Sequence, residues 1–270
     1  MTRTDEGLND SEFELYQRLI YDTCGINLNN TKKQLLESRL SKRRQLHGMS
    51  FRQYREFLMS DKSGVEMAEM IDAVTTNKTD FFRENTHFEF LQKEVFPDLI
   101  RQSQVRFWSS ACSSGEEPYT LAMTLMESPF PVNSDIKILA TDISNKVLDM
   151  AEAGVYAADK ISAVPMALRR KYFLQGTGQW EGCYLVKDEL RSFIRFRRMN
   201  LMEPFPLKAL FDVIFCRNVM IYFDKPTQER LIQKLANQLR PGGYLLIGHS
   251  ETLSGISSSL KYIQPSIYRK

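Results

Sequence analysis

Arg217-Asn218 separates two apolar runs, residues 213–216 and 219–223. The first run is short and nearly continuous, which suits a strand buried on both faces of a parallel sheet. Polar groups directly after such a strand stand where open α/β sheets collect ligands. A core strand followed by an ordinary polar loop accounts for the same residues, so the rest of the chain has to decide. Asp224-Lys-Pro226, after the second run, reads as a helix start.

Three other stretches have comparable character. Residues 109–119, Ser-Ser-Ala-Cys-Ser-Ser-Gly-Glu-Glu-Pro-Tyr, join a predicted strand at 105–108 to an apolar helix at 121–126. Small residues there let a ligand approach the backbone. The lack of G-x-G-x-x-G, and the acidic pair Glu116-Glu117 near the helix start, argue against a pyrophosphate. A second strand, 136–141, ends at Asp142, where an acid about 25 residues past the first loop suits a ribose diol. Together these describe a Rossmann-like half built for a nucleoside without a phosphate. S-adenosylmethionine, with its adenosine, cationic sulfonium and amino acid, is such a ligand. Residues 75–84, Thr-Thr-Asn-Lys-Thr-Asp-Phe-Phe-Arg-Glu, are dense in donors and acceptors. They read either as a capped interdomain linker or as a ligand-facing loop at a domain junction.

The elements that would position these stretches follow from periodicity. Asp10-Ser11-Glu12 starts a helix with Phe13, Tyr16, Leu19 and Ile20 at helical spacing, and Gly25 with residues 27–30 stops it. Thr31 begins a second helix with Leu35, Leu36 and Leu40 as its apolar stripe. That helix also carries Lys32, Lys33, Arg39, Lys42, Arg43 and Arg44, with Arg39 and Arg43 one turn apart. A solvated surface explains these charges, and so does a docking face for an acidic partner. Patterns at 51–58 and 65–74 complete an all-helical first third, and 87–102 is helical again. Further helices are expected at 144–153, 165–172 and 227–239. Residues 173–200 read as a small antiparallel unit that turns at 176–182 and ends in a strand at 193–199. Trp180 at its tip packs locally, or an edge strand there accepts a peptide. The turn Arg240-Pro-Gly-Gly243, a strand at 244–248 and an antiparallel pair at 260–263 and 266–268 close a methyltransferase-type sheet.

Composition narrows the class. The 270 residues are 43% hydrophobic and 26% charged, enough for one large domain or two smaller ones. No apolar run approaches a bilayer span and the opening Met-Thr-Arg-Thr-Asp-Glu has no apolar leader, which predicts a soluble cytoplasmic protein. A net charge of +3 is too slight for global nucleic-acid binding. Cys24, Cys112, Cys183 and Cys216 lie far apart without a C-x-x-C pair, as do His47, His87 and His249, so neither a disulfide framework nor a metal site is expected.

Five motifs occur in order: residues 75–83, Ser113-Ser-Gly-Glu-Glu-Pro-Tyr119, Thr141-Asp142, Asn200-Leu201, and Phe215-Cys-Arg-Asn-Val-Met-Ile-Tyr-Phe-Asp224. With them, nearly the whole chain resembles the CheR-type chemotaxis receptor methyltransferases. The resemblance implies an α/β fold, a Rossmann-like seven-stranded methyltransferase sheet with an N-terminal all-helical domain and a small inserted antiparallel β-subdomain. Its boundaries would be a receptor-docking domain at 1–76, a linker at 77–95 contributing to the cofactor site, and a methyltransferase domain at 96–270 with the β-subdomain at about 173–199. The implied reaction moves a methyl group from S-adenosylmethionine to glutamate carboxylates of chemoreceptors, giving glutamyl methyl esters and S-adenosylhomocysteine as the adaptation step of chemotaxis. Asn77, Thr79, Arg83, Glu117, Asp142, Asn200, Leu201, Arg217 and Asn218 are implied to surround the cofactor, with Arg83 and Tyr222 closest to the transferred methyl. The basic second helix, through Arg39, Lys42, Arg43 and Arg44, resembles the family's docking helix. Gly176, Gly178, Trp180 and Gly182 resemble the unit that binds a receptor's C-terminal peptide tether in some members. The implied partners are cytoplasmic receptor helices rather than nucleic acid, and the implied protein is a monomer, metal-free and recruited to membrane-bound receptor arrays.

The chemistry agrees with the resemblance. A glutamate side chain, with a pKa near ~4.3, is already ionised at neutral pH and needs no general base. In-line displacement on a sulfonium is accelerated by alignment and exclusion of water, so no Ser-His-Asp or Cys-His constellation is required. Two rivals remain at this stage. One is a nucleic-acid methyltransferase, although Arg217-Asn-Val-Met stands where an Asn- or Asp-Pro-Pro-Tyr/Phe tetrapeptide would be. The other is a non-catalytic S-adenosylmethionine-binding scaffold.

Overall fold

The first helix, α1 (Asp10–Cys24), is capped by Asn9, whose side chain accepts from the Glu12 amide at 2.9 Å. Gly25 ends it in the left-handed conformation at φ 74°. A 3₁₀ turn, Asn30–Lys32, leads into α2 (Lys33–Leu46). Then α3 (Phe51–Ser60) opens on a capping box of Ser50 and Gln53, and α4 (Val65–Val74) follows. Their apolar stripes meet in one core around Tyr16, Ile20, Leu40, Tyr54 and Met70. The chain is described from Gly7 onward in this computed structural model. The opening hexapeptide, read above as free of an apolar leader, lies outside the described residues.

Two expectations for α2 change. Leu35, expected in the apolar stripe, is 42% exposed, while Leu36 and Leu40 alone carry the packing. Arg44, expected on the docking face, is only 5% exposed, and its guanidinium lies 4.5 Å from the Phe51 ring centroid. The reason lies beyond the helix. The chain reverses at 47–50, and α3 lays Phe51 across the Arg44 side chain.

Where one helix was expected at 87–102, α5 (Thr86–Phe90), a π-helical turn (Leu91–Val95) and α6 (Phe96–Leu99) run on from one another. The remaining elements are β1 (Gln104–Ser109), α7 (Glu116–Met126), β2 (Asp135–Asp142), α8 (Asn145–Ala153), β3 (Val155–Ala157), α9 (Met166–Tyr172), β4 (Phe173–Gln175) and β5 (Cys183–Val186). After them come α10 (Asp188–Arg191), β6 (Ile194–Arg198), β7 (Phe211–Cys216), α11 (Lys225–Gln238), β8 (Leu239–Ile247), β9 (Lys261–Gln264) and β10 (Ile267–Arg269).

Seven strands form one sheet in the order β6-β2-β1-β7-β8-β10-β9. The pairs from β6 to β8 are parallel, and β10 runs antiparallel to both of its neighbours. Every residue of β7 is buried, as an apolar run covered on both faces requires. Phe107, Val213 and Phe215 join the core on one face; Trp108, Ile214 and Cys216 join the core on the other, with Leu231 and Leu235 of α11. This is the expected mostly parallel seven-stranded sheet with an all-helical N-terminal domain. The Arg240–Gly243 segment, expected as a turn, lies within β8 as an irregularity in its pairing with β7.

The small antiparallel sheet is present, with different membership. Its order is β3-β5-β4, so it recruits residues 155–157 upstream of the expected insert. The strand expected to end it, β6, instead pairs parallel with β2 in the main sheet. Between β4 and β5, a Cβ on Gly176 would stand 2.1 Å from the Trp180 carbonyl oxygen, so only glycine fits. The Trp180 side chain is 56% exposed.

One buried carboxylate on α4 ties α2 and α3 to it. Glu66 accepts from Arg43 Nε at 3.0 Å and Nη2 at 2.6 Å, and from Tyr54 Oη at 2.6 Å. Burial works to raise its pKa, but Arg43, Tyr54 and His47 outweigh burial and hold it below the ordinary carboxylate value. A depressed folded-state pKa adds stability above the unfolded pKa, and that stability is lost as pH falls through the folded value. Glu66→Gln is therefore expected to lower stability by about 1–3 kcal/mol at pH 7. The gap from wild type should close as pH falls below about 4.3, which urea titrations at a series of pH values will read.

Candidate functional site

The carboxyl ends of β6, β2, β1 and β7 open onto one cavity of about 370 Å³. It sits beside the point where strand order reverses around β1, the usual ligand crevice of a doubly wound sheet. Its far wall comes from the helical domain and from residues 74–83 that join the two parts. Asn77, Thr79, Arg83, Glu117, Asp142, Asn200, Leu201, Arg217 and Asn218 all line it, and so does Tyr222. Chain positions spread over more than half the sequence are thus brought to one chamber.

These residues divide by what their side chains already do. Arg217 is buried, and its guanidinium donates to Glu84 Oε2 from Nη2 at 2.9 Å and from Nε at 3.2 Å. It also donates to Glu117 Oε2 at 2.9 Å and to the Arg83 carbonyl. Glu117 Oε1 accepts from Ser109 Oγ at 2.7 Å, and Asn218 donates to Glu84 Oε1 at 3.2 Å. Asn200 donates to the Thr23 carbonyl at 2.7 Å and accepts from the Met202 amide at 3.0 Å. Arg217, Asn218, Glu117 and Asn200 are therefore frame as much as lining. Burial works to raise the Glu84 carboxyl, but Arg217 and Asn218 outweigh burial and hold it below its ordinary value.

Asp142 does something different. It is buried at the end of β2, accepting from the Ser113 amide at 2.9 Å and the Ser144 amide at 3.0 Å. Burial raises its pKa against those amide donors. Two inward bonds orient the carboxylate and leave acceptor capacity toward the cavity, the arrangement a vicinal diol needs. Arg83 spends one nitrogen on the Lys78 carbonyl at 2.8 Å within its own loop. The Tyr222 hydroxyl has no hydrogen-bond partner among the described residues. Met199, Leu201, Ile143 and Val219 supply an apolar wall. Acidic Asp142, an apolar wall and room for a nucleoside fit S-adenosylmethionine.

The loop bearing Arg83 is strained and bolted down. Phe82 and Glu84 adopt left-handed backbone at φ 55° and 54°, which persists only where the surroundings enforce it. Phe81 is buried edge-on to Tyr156 and Phe173, with ring centroids at 4.9 and 5.7 Å, and the Phe82 amide donates to Thr120 Oγ1 at 3.1 Å.

Sequence reasoning missed Glu84 and Glu251. Glu251 follows β8 and accepts four backbone amides: Gly248 at 2.6 Å, Met220 at 2.8 Å, Asn218 at 2.9 Å and Ile221 at 3.2 Å. Burial raises its pKa against those donors. It ties down the loop that carries Asn218, at φ 57°, and Tyr222. The signal available was His249-Ser-Glu251, a polar cluster after an apolar strand like the one at 217–218.

His87 and His249, far apart in sequence, meet with ring centroids 4.9 Å apart, and with Glu84 they have the composition of a cation site. Glu84 Oε2 already carries the Arg217 guanidinium, whose charge opposes a second cation. The two rings are better read as packing beside the Arg217 ion pairs than as a cation site. Burial, then the charge of Arg217, pushes the His87 pKa down to about 3, so the ring is neutral.

The basic residues of α2 do not form one face. Arg39 lines the cavity but donates to the Val74 and Thr75 carbonyls and to Thr76 Oγ1, fixing the start of the joining segment. Arg43 pairs with Glu66 and Glu69, Arg44 is buried, and Lys42 remains exposed. Gly176, Gly178, Trp180 and Gly182 lie outside the cavity lining, in the small sheet's loop.

Comparison with known proteins gives the chain its relatives. Residues 77–268 match the family model for the CheR methyltransferase SAM-binding domain, and residues 11–75 match its all-alpha domain. The chain is similar to a chemotaxis protein methyltransferase of Borreliella burgdorferi, 44% identical over 263 residues, covering 94% of this chain and 92% of the relative. Chemotaxis protein methyltransferase 2 of Pseudomonas aeruginosa is 40% identical, covering 95% and 92%. The chemotaxis protein methyltransferase of Escherichia coli is 35% identical, covering 97% and 91%.

Gly248 tests the frame. A Cβ there would stand 2.4 Å from Asn218 Nδ2 and 2.9 Å from both the Asn218 amide and Glu251 Oε2. Gly248→Ala is expected to weaken S-adenosylhomocysteine binding by about tenfold, roughly 1.4 kcal/mol, because the added methyl group must displace Asn218 from the cavity wall. The far-UV circular dichroism should be unchanged; calorimetric titration gives the affinity.

Proposed function

The chain belongs to the CheR methyltransferase family, S-adenosylmethionine-dependent enzymes of chemotaxis, and we propose that it methylates glutamate carboxylates of chemoreceptors at the cavity above β1, β2 and β7. The observation that carries the reading is the convergence of Asp142, Arg83 and Tyr222 on that one chamber. The products are glutamyl methyl esters and S-adenosylhomocysteine, and the step serves adaptation.

In this reading S-adenosylmethionine supplies a methyl group activated on a sulfonium sulfur. Asp142 accepts from the ribose hydroxyls, Leu201 and the wall around it cover the adenine, and Asn77 and Thr79 close over the cofactor from the joining segment. Glu117 and Glu84 share the single Arg217 guanidinium, which leaves an excess negative charge toward the cofactor's cationic part. Arg83 has guanidinium donors beyond its bond to Lys78, and these align the incoming carboxylate. Tyr222 closes the site against water. No residue has to take a proton, because the acceptor carboxylate arrives ionised.

The helical third, to residue 76, acts as the receptor-docking domain and the segment from 77 to 95 as the cofactor-contributing linker. Exposed Trp180 and the end strand β4 support assigning the small sheet to a receptor's peptide tether. The enzyme acts as a monomer in the cytoplasm at receptor arrays. No helix among the described residues is long and apolar enough to cross a membrane. The basic face that motivated a nucleic-acid substrate is broken up by internal pairing.

Arg83→Ala is expected to cut methyl transfer to a receptor cytoplasmic fragment about a hundredfold. Its S-adenosylhomocysteine affinity should stay within a few fold of wild type. Tyr222→Phe should retain more activity than Tyr222→Ala, because exclusion of water needs the ring more than the hydroxyl. Radiolabel transfer assays measure both, and full activity of Arg83→Ala would remove Arg83 from the reaction.

A further inference from the structure

The mouth of the cavity carries two exposed apolar side chains that neither packing nor cofactor binding explains. Leu35 of α2 and Ile221 of the loop before α11 both line the cavity, yet they are 42% and 53% exposed. Lone apolar residues on a surface are ordinary. These two belong to the same opening and come from the two different halves of the protein.

Their backbones are fixed relative to that opening. Ile221 lies in the loop whose amides Glu251 binds. The neighbouring Tyr222 carbonyl accepts from the Asn27 amide at 2.8 Å, which joins that loop to the segment leading into α2. Tyr21 Oη donates to Asp224 Oδ2 at 2.9 Å and meets Thr227 Oγ1 at 3.1 Å, closing the same junction from α1. On α2, Leu35 and Arg39 are four residues apart and share a face, with Lys32 one turn earlier. Lys32 and Arg39 line the cavity too. The mouth therefore carries one exposed apolar side chain from each half of the protein, with the Lys32 ammonium one turn before Leu35.

We infer that Leu35 and Ile221 form a specificity rim that grips apolar side chains flanking the acceptor glutamate on an amphipathic helix. The inference rests on the function proposed above and adds the recognition rule. On a helical substrate, residues three or four positions from the acceptor share its face and reach the rim as the glutamate enters. Lys32 matches carboxylates elsewhere on such a helix. A glutamate set among purely polar neighbours would leave the rim's apolar surface facing water and polar groups, and would bind weakly.

The experiment uses the full chain, a receptor cytoplasmic fragment and radiolabelled S-adenosylmethionine. Leu35→Ser with Ile221→Ser should raise KM for the fragment about tenfold, the scale of lost apolar contact in a specificity pocket. The maximal rate and S-adenosylhomocysteine affinity should be kept, because both side chains stand at the mouth. Replacing the apolar residues three and four positions from an acceptor glutamate with serine should raise the wild-type KM similarly. The double variant should then be insensitive to that replacement. An unchanged KM in the variant, or equal sensitivity of both enzymes to the altered fragment, overturns the rim. Failure of the wild-type chain to methylate any fragment glutamate would instead overturn the proposed function, so the two failures are distinct.

Discussion

A buried guanidinium is tolerable only when its charge and its donors are met, and Arg217 meets both with groups from two separate parts of the chain. Glu84 and the neighbouring Arg83 carbonyl come from the strained loop after the helical domain, and Glu117 comes from α7. Removing one partner from such a network exposes the others to an uncompensated buried charge, typically about 3–5 kcal/mol. The ion pairs therefore work as a fastener. They hold the loop bearing Arg83 against the carboxyl end of β7, and that placement turns the end of a sheet into a closed chamber.

The other contacts continue this theme. Glu251 gathers four amides to set the loop after Arg217, Asn200 reaches back to Thr23, and Asn27 holds Tyr222. Each bond joins the sheet's carboxyl edge to the helical domain or to a neighbouring loop. A displacement on a sulfonium by an ionised carboxylate demands geometry and dryness rather than proton transfer. A site rich in fixed ion pairs and backbone bonds, with few titratable groups free in solvent, is what that demand produces.

Much of this was legible in the sequence, and the gaps have physical causes. Strand β7 and the four N-terminal helices were readable because burial imposes short-range periodicity. The residues around the cavity were readable from polar groups at the ends of apolar strands and from the family resemblance. What these groups do was harder to see. Arg217 read as facing the cofactor, yet its partners lie 133 and 100 positions away, and no local pattern encodes such a pair. Arg44 read as surface because helical spacing cannot foresee Phe51 folding back across it. Strand β3 is three residues long, too short to leave a period, so the small sheet's upstream edge was assigned to the wrong place. Leu35 read as core because a stripe of leucines does not reveal which one overhangs an opening.

The claim that the Arg217 network assembles the chamber can be tested without a receptor. Hydrogen exchange over residues 77–84, with S-adenosylhomocysteine titration alongside, should be compared for wild type and Arg217→Gln. If the network holds the loop, the variant loses protection at 77–84 and loses cofactor affinity together, while α1 to α4 and the sheet strands keep their protection. A variant that binds the cofactor normally with an unchanged loop would contradict the account.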